Sequence, residues 1–217
     1  MLSWNLRGSK AEEKAKCLRR VIRKWCPLVV VLLETKREKF SSKVASFFWG
    51  PNPCGWKFIP SIGLSGGIVI LWDALQLDCL DVLEGAFTLT VILKVVDKNL
   101  AWALTGVYGP TDPKDKQQFW QELKWVGGYV NCPWTLAGDF NAVRKNEERS
   151  NSKATRAEKL NFSRFIDEFL LADFDSIGPI FTYCNGQDPP TFSRTDKFFS
   201  TAVKGLRKTE LTFSLTA

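Results

Sequence analysis

The 217-residue chain contains no histidine. That excludes Ser-His-Asp and Cys-His catalysis and every zinc site that needs an imidazole. Six cysteines occur, at positions 17, 26, 54, 79, 132 and 184, but no two form a CxxC pair, so a cysteine-only zinc site is not expected either. They read as free thiols of a reducing, intracellular compartment: a chain this long does not need disulfides, and it opens without a secretory leader. No apolar run is long enough to span a bilayer; the longest, residues 28–33, has the length of a strand. No repeat or low-complexity linker breaks the chain, which reads as one sizeable domain.

What is present is a net charge of +7 and many Trp and Phe side chains. The charge leans toward anionic partners such as nucleic acid. Ala11, Ala15, Leu18, Ile22 and Trp25 recur at helical spacing with Lys and Arg between them, and Pro27 ends that helix. The Val-rich run 28–33 predicts a strand covered on both faces. Phe40, Val44 and Phe47 predict a second helix, residues 49–60 a loop and edge strand, and residues 68–72 a strand. The glycines before that strand do not make a P-loop, because no helix and no Lys-Ser/Thr follow. Residues 87–96 alternate, turn at 97–99 and return at 100–107, which predicts an antiparallel hairpin. Helices are expected at 114–129 and 159–171, a charged loop at 144–156, and short strands at 181–183 and 191–194, the last ending near Asp196.

One stretch, residues 133–141, organises the rest. It reads as a buried strand that Gly138 then turns, leaving Asp139 and Asn141 two residues apart and pointing the same way from a sheet edge. Alone, Asp139 could simply cap a turn. Other strands, however, also end in polar groups: Asn5, Glu34, Tyr108 and, near the end of the chain, Asp196. Two amides, three acids and a phenol form a set of hard oxygen donors, suited to Mg²⁺ or Mn²⁺ and not to zinc or copper. Such a site could polarise a phosphoryl oxygen and orient a water for in-line attack. A non-catalytic α/β domain is the competing reading.

Five motifs then add a resemblance. WNLRG at 4–8, LLETK at 32–36, GVYGP at 106–110, LAGDFNAV at 136–143 and FSRTDKFFS at 192–200 stand in the order of the endonuclease/exonuclease/phosphatase superfamily. SGGIVILW at 65–72 and FTYCNG at 181–186 make the chain similar to the apurinic-endonuclease-like domain of plant LINE-type retrotransposons. The resemblance implies a DNase I-like four-layer α/β sandwich, two packed mixed β-sheets flanked by helices. It implies Mg²⁺ (or Mn²⁺) held by Glu34 and Asn5, with DNA as substrate and neither a small-molecule cofactor nor a membrane partner. It gives Asp139 the role of orienting or deprotonating the attacking water, Asn141 and Tyr108 that of hydrogen-bonding the phosphate, and Asp196 that of holding a histidine in orientation.

That histidine is the departure. Relatives continue to a Ser-Asp-His motif on a last strand, whereas residues 201–217 are a divergent tail, so the resemblance covers residues 1–200 and implies a truncated domain of impaired activity. A basic remnant that binds nucleic acid weakly without chemistry is the alternative, and a relative acting on small phosphoesters a third. Arg7 stands where some relatives carry an acid, which argues against a second metal position.

Overall fold

The computed structural model describes residues 1–6, 11–62, 65–150, 155–174, 181–184, 188–201 and 214–215. Arg7 lies outside them. In chain order the elements are β1 (Leu2–Asn5), α1 (Ala11–Trp25), β2 (Val29–Leu33), α2 (Ser42–Trp49), β3 (Cys54–Ile62), β4 (Ser65–Asp73), β5 (Leu77–Glu84), β6 (Thr88–Val95) and β7 (Ala101–Tyr108). They continue with α3 (Lys116–Tyr129), β8 (Trp134–Asp139), α4 (Arg156–Glu168), β9 (Leu171–Asp173), β10 (Tyr183–Cys184), β11 (Phe192–Ser193), β12 (Asp196–Thr201) and β13 (Ser214–Leu215).

Two mixed sheets result. The first has the order β13-β1-β2-β4-β3, with β13, β1 and β2 parallel and the remaining neighbours antiparallel. The second has the order β5-β6-β7-β8-β12-β9, with only β7 and β8 parallel. β10 and β11 form a separate antiparallel pair.

The unbroken apolar run of β2 explains the layering. Val29, Val31 and Leu33 face the second sheet, where they meet Leu89, Val91, Leu104, Ala137 and Phe198. Val30 and Leu32 face the other way and pack under Leu18 and Ile22 of α1 and Phe48 of α2. Alternate residues of one strand thus fill two cores, which is why no polar residue interrupts it. A third core lies outside the second sheet, where Phe119, Trp120 and Leu123 of α3 and Phe162 and Phe165 of α4 cover Leu136, Phe140 and Phe199. The molecule is a four-layer sandwich of helices, sheet, sheet and helices. No helix among the described residues is long and apolar enough to cross a membrane.

Several sequence expectations need correction. Residues 77–84, given no element, form the edge strand β5, whose register slips between Cys79 and Asp81 and blurs its alternation. Asp196 opens β12 instead of following a strand end, and the two phenylalanines after it are both buried because Phe198 enters the core between the sheets and Phe199 the helical core. Gly138 does not turn the chain: it lies inside β8 with φ +143°, and a methyl group there would sit 2.1 Å from the Val107 carbonyl oxygen. The residue is glycine because the backbone of β7 approaches too closely for a side chain, and because only glycine adopts that φ without strain. Gly138→Ala is therefore expected to cost about 3 kcal/mol, measured by urea denaturation.

Candidate active site

The strand ends converge because of how the strands pair. β1 and β2 run parallel, so Asn5 and Leu33 are register partners and Glu34 follows at once. Asn5 Nδ2 donates to Glu34 Oε1 at 2.8 Å. Glu34 is only 4% exposed and has a φ of 49°, left-handed backbone that a glutamate rarely adopts. Lys36, two residues on, has a φ of 50°. Strain of about 1–3 kcal/mol per such residue persists where surrounding structure imposes it, and it clusters at functional sites. Here the Thr35 and Lys36 N–H groups donate to the carbonyls of Gly67 and Gly66, which holds the bend against the start of β4.

In the second sheet, Tyr108 and Asp139 are parallel partners at the ends of β7 and β8, and Asp196 stands opposite Asp139 across the antiparallel β8–β12 pair. Two acids directly opposite on one sheet face cost stability. Such a local conflict is what a functional site tolerates and a structural one does not. Asp139 is 3% exposed. Its Oδ1 accepts the Asn141 N–H at 2.8 Å, and Asn141 has a φ of 46°. The chain is bent between them, so the expectation that both side chains point the same way from an extended strand is corrected. Nor is β8 an edge strand: it lies between β7 and β12, and the pair sits at the strand's end.

The two loops that follow β7 and β8 interlock. Gly109 donates its N–H to the Asp139 carbonyl at 2.7 Å, and Asn141 Nδ2 donates to the Gly109 carbonyl at 2.7 Å. A methyl group on Gly109 would lie 2.2 Å from the Phe140 carbonyl oxygen, so only glycine fits this crossing.

Both clusters lie on one rim of the sandwich. A methyl group on Gly106 of β7 would touch Val31 of β2 and Ile68 of β4 at 3.0 Å. A cavity of about 270 Å³ is walled by Gly66, Gly67 and Ile68 on one side and by Tyr108 and Gly109 on the other. The first sheet thus carries Asn5 bonded to Glu34 at its strand ends, and the second sheet carries Tyr108, Asp139, Asn141 and Asp196 at its own.

The donor set fits a magnesium-type ion. The atoms outside the Asn5–Glu34 bond, Asn5 Oδ1 and Glu34 Oε2, are hard oxygens. Among the described residues no three His, Cys, Asp or Glu side chains cluster as a metal cage. Mg²⁺ uses one or two carboxylates and keeps its waters, so it does not require such a cage.

Two features escaped the sequence reading. Lys116, in the first turn of α3, donates from Nζ to the carbonyls of Asn141 at 2.7 Å and Phe140 at 3.3 Å, pinning the bend from outside. Burial lowers its pKa to about 8 against the opposing pull of Glu158 and Asp139, with Arg149 adding to the lowering. Because the folded value lies below the ordinary lysine value, the unfolded chain binds more protons between the two. Stability should therefore rise with pH from about 8 toward the lysine range. Denaturation titrated over that window is expected to show the wild type gaining on Lys116→Met; parallel curves would refute this. The other feature is a buried ion pair between Lys197 of β12 and Glu148 of the loop after β8. Nothing in the local periodicity marks either lysine as different from a solvated one.

No protein-family model and no curated protein sequence matches the chain. Solved structures do. An AP endonuclease from Leishmania major superposes with a TM-score of 0.67 at 16% identity, over 92% of this chain and 78% of that one. A 3′ phosphatase from Neisseria bound to a product DNA hairpin gives 0.68 at 15%, over 92% and 86%. The endonuclease domain of TRAS1, a telomere-specific non-LTR retrotransposon, gives 0.63 at 14%, over 92% and 84%. The fold is DNase I-like. These neighbours belong to the endonuclease/exonuclease/phosphatase superfamily, and the DNase I-like sandwich is the architecture that the ordered motifs implied.

Proposed function

We propose that the chain is a Mg²⁺-dependent phosphodiesterase domain of LINE retrotransposon origin that nicks DNA, with activity impaired by its lack of histidine. The observation that carries the reading is the strand pairing that sets Asn5 against Glu34 in one sheet and Tyr108 beside Asp139 in the other, with left-handed backbone at both Glu34 and Asn141. Glu34 and Asn5 would hold the ion. When bound, Mg²⁺ (or Mn²⁺) supplies Lewis acidity toward a phosphate oxygen. Asp139 accepts the proton of the attacking water. Asn141 spends one amide hydrogen on Gly109 and has a second for a phosphate oxygen, and the Tyr108 hydroxyl donates to another. A net charge of +7 suits a polyanionic substrate. The retroelement origin is supported by the ordered motifs and by the fold shared with a retrotransposon endonuclease domain. DNA as substrate gains support from the Neisseria neighbour.

Asp196 stands where a histidine partner would be oriented, and no histidine exists in the chain. That favours a second reading, a remnant that binds DNA weakly and does no chemistry. Supercoiled plasmid with Mg²⁺ or Mn²⁺ separates the two. The phosphodiesterase reading expects slow nicking above the background of Glu34→Gln. Equal rates, with salt-sensitive DNA binding retained by both proteins, would overturn it in favour of the remnant.

A further inference from the structure

A second cavity, of about 550 Å³, opens beside Glu34 between the strand-end bend and the two helices that cover the first sheet. Four cations line it: Lys16 from α1, Lys36 and Arg37 from the bend, and Lys43 from α2. All four are exposed, and among the described residues none has an ion-pair partner. Among the described residues that line it, Glu34 is the one acid. The floor is apolar, and Phe47, 43% exposed, contributes a ring to it. The Arg19 guanidinium sits 5.5 Å from the centre of that ring and adds a further positive charge nearby.

A cluster of exposed cations around an exposed aromatic ring is a costly surface to leave bare. Like charges repel, and a phenylalanine exposed to this degree gains nothing from water. The ligand that satisfies both is an anion carrying a flat apolar group. An inorganic phosphate would use the lysines and ignore the ring, and an acyl chain would use the ring and ignore the cations. A nucleotide uses both, because every base has a π-face that stacks on an aromatic ring. The volume lies within the range of small-molecule pockets.

We propose that this cavity holds a nucleotide of the substrate strand next to the phosphate under attack, its phosphate among Lys16, Lys36, Arg37 and Lys43 and its base against Phe47. This deepens the phosphodiesterase reading and rests on it for the identity of the strand. It makes α1 and α2, which cover the first sheet, part of the substrate path. It also assigns the domain a preference for a strand whose flanking nucleotide can unstack, as at an end, a nick or a single-stranded gap.

The test is fluorescence anisotropy at low salt with a short single-stranded DNA and with a base-free deoxyribose-phosphate oligomer of the same length. Lys16→Glu/Lys43→Glu is expected to weaken both ligands by about tenfold or more, since phosphate contacts dominate nucleic-acid affinity. Phe47→Ala is expected to weaken the base-bearing strand by about fivefold or more and leave the base-free one alone, because only the base stacks. All three side chains are exposed, so the variants should melt with the wild type. In plasmid nicking the effect should fall on KM more than on kcat. Unchanged affinities, or a Phe47→Ala loss equal for both ligands, would overturn the proposal while leaving the phosphodiesterase reading intact. If the wild type fails to nick yet Phe47→Ala still separates the two ligands, the pocket stands and the phosphodiesterase reading falls.

Discussion

Asp139→Asn is expected to lower the single-turnover rate of DNA nicking by about a thousandfold, within the range typical of a lost general base. Asparagine matches aspartate in shape, and its Oδ1 can still accept the Asn141 N–H that closes the bend at 2.8 Å. The loop interlock with Gly109 and the pairing of β7 with β8 do not use the carboxylate's charge. The variant loses the negative charge and the proton acceptor while keeping the scaffold. It also relieves the opposition of two acids across β8 and β12, so its melting temperature should hold or rise. A large fall in rate with unchanged or higher stability is the signature of a chemical role. If Asp139→Asn nicks like the wild type, the carboxylate takes no part in the reaction and only the turn-capping role remains.

Lys197→Met is expected to destabilise the fold by about 3–5 kcal/mol, the usual consequence of stranding one partner of a buried ion pair. Lys197 is 1% exposed, and its ammonium reaches Glu148 Oε1. Burial pushes the Glu148 carboxyl up, but the Lys197 ammonium and the N–H groups of Arg144 and Lys145 outweigh it and hold the carboxyl below its usual value. Removing the ammonium leaves that carboxylate in a low-dielectric setting with the Arg194 guanidinium, 3.9 Å from the same oxygen, as a weaker partner. Combining Lys197→Met with Glu148→Gln should recover most of the loss, because the stranded charge is then gone. The pair also has a bearing on the site. It ties the loop after β8 to the residue next to Asp196, and Arg194 of the same segment bonds Asp173 at 3.1 Å. Chemical denaturation of the single and double variants measures the coupling. Losses that simply add would mean that the two side chains do not act as a pair.

Much of the architecture could be read locally. The β2 run, the β6–β7 hairpin and the helical periods of α1, α3 and α4 are short-range patterns, and each emerged within a few residues of its expected bounds. β5 and β12 escaped notice for a common reason. Their character depends on neighbours far along the chain: a bulge against β6 in one case, and burial between two separate cores in the other. Among the candidate residues, Asn5, Glu34, Tyr108 and Asp139 stand out in the sequence because polar side chains that end apolar strands break a pattern. Lys116 and Lys197 break none, and only packing distinguishes them from solvated lysines.

Composition and order alone decide which chemistry is open to this chain. Without histidine, and with oxygen donors at its strand ends, it has the groups for hard-metal phosphate chemistry and lacks those for serine-histidine, cysteine-histidine or zinc-histidine chemistry. Tertiary structure decides where those groups stand. Parallel pairing of β1 with β2 and of β7 with β8 brings their ends to one rim, and the close β7–β8 approach at Gly138 explains a glycine that sequence reading took for a turn. The physical reason is range: side-chain chemistry and periodicity are properties of a few adjacent residues. Register and burial arise only when segments far apart along the chain, such as those that end in Glu34 and Asp139, are packed into one body.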